Sequence, residues 1–433
     1  MNQSIEGVDV GTRRCRVCGS RDVRLVLDLG VVPLANSFVD PANRDLDEPK
    51  YPLGIQFCAN CAIVQLPELV DPDVLFRHYL YTPSASATWR EHCKELASWL
   101  RDRMTNAAPF VVEPASNDGC LLKEIMAWAP HVLGVEPALN IAAAAARDGI
   151  PTISEFFGEQ TAIRIRAKEG EAAAVVGTNV LAHVPDILDF LRGAAVLIGE
   201  NGIVVIEAPY LRDLVEKVAY DTVYHEHVSY LSVTALARAY NLAGLTLTHV
   251  ERTPTHGGSI RFVGRAAGAS PDATVNAFLA EEEQLGYASG QALIDFSTRV
   301  DGLRSDLRAV ISAELAAGRR LAAYGATAKG NTLLSTVGVG ADELQYVVDR
   351  NPLKQGLLTP GTHIPVVAPE VLTSDPIDTL LILAWNIADE VVAQQQWFAE
   401  RGGRFLVPIP TPTFVGPNTA AVSPKALQSS TSP

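Results

Sequence analysis

The sequence predicts an α/β protein in three parts, a small metal-binding domain followed by two doubly wound units. Three observations predict it. Two C-x2-C pairs lie close together near the start of the chain, strand–turn–helix alternation runs from about 110 to 266, and a second alternation begins near 320. A chain of 433 residues is also longer than one core usually serves. Its composition, 48% hydrophobic and 19% charged, is that of a globular protein.

The formal net charge of −14 argues against a nucleic-acid or anionic-membrane partner. The opening MNQSIEGVDVGTRR lacks the apolar stretch of a signal peptide, and no run of 18 apolar residues is long enough to span a membrane. A cytoplasmic protein is therefore expected. With three domains able to cover one another, it is expected to be a monomer.

Residues 1–80 are assigned to the metal-binding domain. Cys15 and Cys18 are followed after about 39 residues by Cys58 and Cys61. Each pair chelates from a tight turn, and four thiolates complete a tetrahedron around Zn²⁺ with no open position. That metal is expected to be structural. A redox C-x2-C is the alternative, disfavoured by two pairs so close together. Strand-like LVLDLG (25–30) and the loop PLANSF (33–38) lie between the pairs.

Residues 81–267 form the first doubly wound unit. Tyr79 and Tyr81 precede a Ser/Ala stretch that reads either as a linker or as a substrate wall. A helix is predicted through 93–104. FVVEPASNDGCLLKEI (110–125) then reads as strand, turn and helix, and VLGVEPALNIAAAAARDG (132–149) as strand, acidic residue and helix. Glu136, 23 positions after Glu113, stands where such folds hold ribose hydroxyls. The turn Glu113–Gly119 carries one glycine and is not G-x-G-x-x-G, which disfavours a pyrophosphate. A nucleoside-bearing ligand without phosphates fits better, and S-adenosylmethionine is the common one; a degenerate dinucleotide site is the alternative. Further strands are predicted to end near Asn179 and Glu207, with His183 just beyond the first and Phe156 placed to flank an adenine.

Between strand IVVIEA (203–208) and helix SVTALARAYNLAG (232–244) lies YDTVYHEHVSY (220–230). It falls on the rim of the sheet, where α/β proteins keep their chemistry. His225 and His227 are two apart and face different ways in either regular structure, so a shared metal is less expected than separate roles. A solvated helix end remains the alternative. Residues 245–266 read as a hairpin.

Residues 268–416 form a helical bridge and the second α/β unit, and 417–433 a disordered tail. The turn GATAKGNT after strand RLAAY resembles an anion-binding helix start in which Lys329 and backbone amides meet a phosphate. Asp349 ends the next strand and suits a ribose hydroxyl or a base. A strand–helix joint that needs small residues for packing is the alternative.

Taken together, CRVC/CANC with LGVVPLANSF, VVEPASNDG, GVEPALNIA, NVLAHVPD, YDTVYHEHVSY, HGGSIR and GATAKGNTLL resemble one family over nearly the whole chain. It is the sugar C-3-methyltransferases of antibiotic deoxysugar biosynthesis, of the tetronitrose, mycarose and vancosamine type. The resemblance implies an N-terminal zinc domain, a middle domain of the S-adenosylmethionine fold and a C-terminal Rossmann-like domain holding the nucleotide diphosphate. The implied substrate is a dTDP-linked 4-keto deoxysugar. Active-site positions of the family fall on Asn179, His183, Tyr224, Glu226 and His227, with Tyr79 and Tyr81 competing for one further position.

Carbon methylation requires a carbanion-like nucleophile, hence a base and a donor for the developing enolate oxygen. His227 is the expected base, Tyr224 its rival, and Glu226 a group that orients an imidazole. His183 and Tyr79 or Tyr81 are expected to donate to the C-4 oxygen, and His225 to be structural. Expected cofactor contacts are Glu113, Ser116, Asn117, Gly119, Glu136, Phe156 and Asn179. Expected nucleotide contacts are Tyr324, Lys329, Asp349 and Lys354. An NAD-dependent nucleotide-sugar oxidoreductase and a non-enzymatic zinc scaffold are the competing classes.

Overall fold

The computed structural model describes residues 14–76, 87–104, 108–253, 255 and 258–416. Tyr79, Tyr81 and the tail 417–433 lie outside the described residues.

Strands β1 (Val23–Pro33) and β2 (Lys50–Cys58) pair antiparallel, and β3 (Val64–Gln65) adds to β2. Leu27, Leu29, Ile55 and Phe57 are buried. The two C-x2-C turns flank this small sheet and bring all four cysteines together.

The middle unit contains β4 (Phe110–Pro114), β5 (His131–Val135), β6 (Thr152–Ile153), β7 (Ala174–Thr178), β8 (Ile203–Pro209), β9 (Ser229–Tyr230), β10 (Leu245–Thr253) and β11 (Ser259–Ala266). All but β9 form a seven-stranded sheet in the order β10-β11-β8-β7-β4-β5-β6. The strands from β4 to β8 run parallel, and β10 and β11 close one edge as an antiparallel hairpin. AVVGT and IVVIEAP are nearly continuous apolar runs because parallel strands are covered on both faces. The chain winds outward from β4 to β6, then returns to start β7 on the other side of β4. The crevice between β4 and β7 is thus the switch point at which such sheets bind ligands.

Strand β9 does not join that sheet. It pairs antiparallel with β3, so the zinc domain's sheet is completed by residues from the middle of the chain. Ahead of it, a helix Leu211–Glu216 and a 3-10 turn Tyr220–Thr222 occupy a stretch that the sequence suggested would be loop.

Helices Ala273–Gln284 and Gln291–Ala316 form the bridge. Beyond it come β12 (Leu321–Tyr324), β13 (Leu344–Val348), β14 (Val366–Val367), β15 (Thr379–Ile382), β16 (Arg404–Val407) and β17 (Thr413–Val415). Their order is β14-β13-β12-β15-β16-β17, parallel except for β17, with the switch point between β12 and β15. One apolar cluster joins Leu27 and Ile55 of the zinc domain, Tyr220 and Val223, Phe296 of the bridge, and Leu333 and Leu383 of the C-terminal unit. The stretch 211–230 is the part of the middle domain that sits in this shared core. No helix among the described residues is long and apolar enough to cross a membrane.

Candidate active site

At the end of β4 the backbone takes a conformation that side chains rarely adopt. Ala115 and Asn117 have φ of 53° and 49°, and Asn179, at the end of β7, has 57°. Strained non-glycine residues on both sides of a switch point mark a turn shaped for something other than its own stability. Two contacts hold it: Ala115 N–H donates to Val135 O at 2.7 Å, and Asn117 N–H to Glu136 Oε2 at 2.9 Å. The other Glu136 oxygen accepts from Ala138 N–H at 2.8 Å. Gly119 follows with φ 74°, and a Cβ there would lie 2.4 Å from Ile150 Cδ1. Within this cradle Glu113 Oε2 and Ser116 Oγ are buried with no hydrogen-bond partner. Burial holds the Glu113 carboxyl well above its usual range. Two orphaned polar atoms beside a strained turn fit the polar end of a bound nucleoside-type cofactor. Phe156 is 40% exposed, whereas its neighbour Phe157 packs edge-on against Phe190.

The YHEH segment lies beyond β8. His227 Nδ1 donates to Thr222 O at 2.9 Å, since a carbonyl can only accept, and this leaves Nε2 as the acceptor. Tyr224 hydroxyl lies 3.0 Å from that Nε2. His183 comes from the loop after β7, and its ring meets His227 edge-on at 4.8 Å between centroids. Its Nδ1 donates to Glu226 O at 2.8 Å, and burial lowers its pKa to about 4. His183 is therefore neutral at pH 7, with Nε2 an acceptor. That geometry is unsuited to the donor role expected for it on the C-4 oxygen.

Glu226 turns away from the histidines. Its Oε1 accepts from Asn36 Nδ2 at 2.5 Å, and burial raises its pKa against the opposing effects of Asn36 and Lys354. It therefore does not orient either of these imidazoles through its side chain. His225 is 2% exposed and packs edge-on against Tyr51, a structural placement.

In the C-terminal unit the acidic residue of the second strand repeats the arrangement around Glu136. Asp349 Oδ2 accepts from Ala326 N–H at 2.8 Å, and Gly325 N–H donates to Val348 O at 2.7 Å. The GATAKG turn is partly self-satisfied: Thr327 Oγ1 accepts from Gly330 N–H, and Thr327 N–H donates to Gly325 O. Gly330 also serves packing, because a Cβ there would lie 2.8 Å from Leu383 Cβ. Lys354 Nζ donates to Ala326 O at 2.7 Å and lies 5.1 Å from the Phe38 ring centre. Lys329 Nζ lies 5.7 Å from the ring centre of Trp385. Tyr324 is 5% exposed and packs in the core with Tyr346 and Phe398, close enough to Asp349 to feel its charge.

Four residues at this junction were not singled out in the sequence. Asn36 lies inside PLANSF, and Arg16 is one of the two residues between the cysteines of CRVC. Asp221 is fully buried and accepts from Trp385 Nε1 at 2.6 Å. The available signal was modest: polar or aromatic residues set among apolar ones beside a motif.

The sulfurs of Cys15, Cys18, Cys58 and Cys61 lie within 4.8 Å of one another, with Cys15–Cys61 at 3.4 Å and Cys18–Cys58 at 3.6 Å. Tetrahedral zinc with Zn–S near 2.3 Å requires edges of about 3.8 Å, so the four thiols fit a closed structural site. Fold and donor sets together define an S-adenosylmethionine-dependent methyltransferase with a structural zinc domain.

Comparison with known proteins gives the particular family. Residues 15–76 match a zinc binding domain, 88–250 a methyltransferase domain and 254–410 the C-methyltransferase C-terminal domain. The C-methyltransferase NovU of Streptomyces niveus is 35% identical over 404 residues, covering 93% of this chain and 96% of that protein. The chain belongs to this C-methyltransferase family. Similar solved structures include the magnesium protoporphyrin IX methyltransferase of Synechocystis PCC 6803 with bound SAM. It is 12% identical, with 41% of this chain and 79% of that chain covered and a TM-score of 0.32. The CcbJ methyltransferase of Streptomyces caelestis is 14% identical, with 41% and 90% covered and a TM-score of 0.32.

Proposed function

We propose that the protein methylates C-3 of a dTDP-linked 4-keto deoxysugar, with Tyr224 and His227 removing the C-3 proton as a pair. The Tyr224–His227 contact carries the reading. An imidazole whose Nδ1–H is committed to Thr222 O has one basic nitrogen, and that nitrogen faces a phenol. The proton leaves C-3 for the Tyr224 oxygen as the phenolic proton passes to Nε2, and the charge on the substrate spreads onto the C-4 oxygen as an enolate. S-adenosylmethionine, when bound in the Glu113–Gly119 cradle, supplies the electrophilic methyl group. Glu136 suits its ribose, Phe156 its adenine, and Asn179 the space between cofactor and sugar.

His183 accepts at Nε2 and suits a sugar hydroxyl. The donor for the enolate oxygen falls to another group, and Tyr79 and Tyr81 remain its candidates by resemblance. Lys329, Asp349 and Lys354 surround the switch point of the second sheet and suit the nucleotide, whereas Tyr324 is buried at the end of β12 and offers it little surface.

The test is solvent exchange. With S-adenosylhomocysteine bound, wild-type protein should wash deuterium from solvent into C-3 of a substrate drawn from a panel of dTDP-linked 4-keto sugars. H227N should abolish the exchange, and Y224F should slow it by about 10²-fold or more. Exchange at the normal rate in H227N would sink the proposed pair.

A further inference from the structure

His227 is gripped through both of its chain neighbours by the zinc domain. On one side, Asn36 Nδ2 donates to the side chain of Glu226 at 2.5 Å. On the other, the Arg16 guanidinium donates to Val228 O and, at 2.8 Å, to Leu66 O. Arg16 stands between two zinc ligands, Cys15 and Cys18. Its own N–H donates to Gln65 Oε1 at 3.1 Å, and Leu66 N–H donates to Val228 O at 3.0 Å. Those bonds flank the β3–β9 ladder, in which Val64 faces Tyr230 and Gln65 faces Ser229. A continuous path of bonds therefore runs from the Cys15–Cys18 turn through Arg16 to the residue after His227.

We infer that Arg16 and Asn36 are positioning residues for His227, and that the zinc contributes to turnover by fixing the turn that carries Arg16. The inference rests on the reading of His227 as proton acceptor. The physical reason is the scarcity of local restraint. Between Thr222 and Val228 the chain holds itself by a turn, His227 N–H to Tyr224 O at 2.9 Å, and by the Nδ1 contact to Thr222 O. The turn and the His183 Nδ1 bond to Glu226 O hold the peptide plane before His227, and neither holds the chain beyond it. Val228 O is held from two directions by the zinc domain, and Glu226 is anchored outward, so the backbone that carries the imidazole cannot shift without straining a bond to that domain. A displacement of about 1 Å at a reacting group can cost on the order of 10²-fold in rate.

The test uses full-length R16A, R16K and N36A, each with zinc content, S-adenosylhomocysteine affinity, kcat and KM measured. The turnover probe is a dTDP-linked 4-keto-2,6-dideoxy sugar. Imidazole nitrogen NMR shifts report the His227 tautomer without any substrate. R16A and N36A are expected to keep one zinc per chain and cofactor-product affinity within about 3-fold, while kcat falls about 10- to 100-fold and KM moves less. The His227 nitrogens should report a tautomer mixture, and R16K should recover part of kcat. Wild-type kcat and wild-type nitrogen shifts in both alanine variants would overturn the inference. If R16A sheds its zinc, N36A decides by the same two measurements, since Asn36 is remote from the thiolates in sequence. Full turnover in H227N would instead defeat the assignment of the base, and so the two failures are distinguishable.

Discussion

At the scale of single residues, the backbone carbonyls that the two histidines bond to determine what those histidines can do. Thr222 O fixes the tautomer of His227, and Glu226 O fixes that of His183. In both rings Nδ1 carries the proton and Nε2 is the acceptor. The environments then separate them: burial holds His183 at a pKa of about 4, against 6.5 unperturbed. The unfolded chain therefore binds a proton at this residue that the folded chain refuses. Between pH 6.5 and 4 the unfolded state carries more protons, so stability rises with pH there and falls on acidification. Replacing His183 by Gln, which keeps a neutral polar group, should remove that dependence. Calorimetric Tm should fall less between pH 7.5 and 5.5 in H183Q than in the wild type. An equal fall in both would mean that His183 takes up its proton in the folded protein without penalty.

At the scale of elements, the exit from the YHEH segment depends on a carboxylate supplied from elsewhere. The helix Val233–Leu242 begins with Ser232, whose hydroxyl accepts from Ala235 N–H, but its first amides turn to Glu282 of the bridge helix Ala273–Gln284. Glu282 is fully buried and accepts from Val233 N–H at 2.7 Å, Thr234 N–H at 2.8 Å, Thr234 Oγ1 at 2.7 Å and Tyr210 hydroxyl at 2.8 Å. It caps one helix from another and ties both to the end of β8. Removing it orphans four buried donors, so E282A should lower unfolding free energy by about 3–5 kcal/mol, against about 1 kcal/mol for S232A. Urea midpoints measure both, and a smaller loss for E282A would refute the long-range cap. This contact explains what the sequence could and could not show. The helix at 233 was legible from its apolar spacing and its Ser232 cap, which are local. Glu282 is one of three consecutive acids, and nothing in AEEEQ indicates which of them points inward. The same limit hid β9: two residues, Ser229 and Tyr230, are too short to show a strand pattern, and their partners at 64–65 lie more than 160 positions away. The cysteine pairs and the strand–turn–helix units were legible because their signals lie within a few residues of one another.

At the scale of the whole molecule, the stretch 211–230 is where the three parts of the chain meet, and each holds it by different chemistry. The zinc domain grips it through β3, Arg16 and Asn36, and the middle domain through β8 and His183. The C-terminal unit grips it through Trp385, at the switch point of its sheet, whose indole N–H reaches Asp221 at 2.6 Å. Asp221 is fully buried, its other oxygen has no partner, and burial raises its pKa while Lys329 and Trp385 oppose that shift. A carboxylate in that position is stabilised chiefly by what the C-terminal unit brings to it. Trp385 therefore acts as a latch between the proposed nucleotide site and the proposed base. W385F keeps an aromatic ring and deletes the bond, which leaves Asp221 more poorly satisfied; the expected cost is about 2 kcal/mol. D221N should cost less, since an uncharged amide tolerates burial better, and the double variant should fall short of the sum by about 1 kcal/mol or more. Urea unfolding of the four proteins in the cycle gives that coupling directly. Strict additivity would mean that the indole and the carboxylate are neighbours without being partners. The C-terminal unit would then hold the base segment through the shared apolar core and the contact of Thr336 Oγ1 with the Tyr220 hydroxyl.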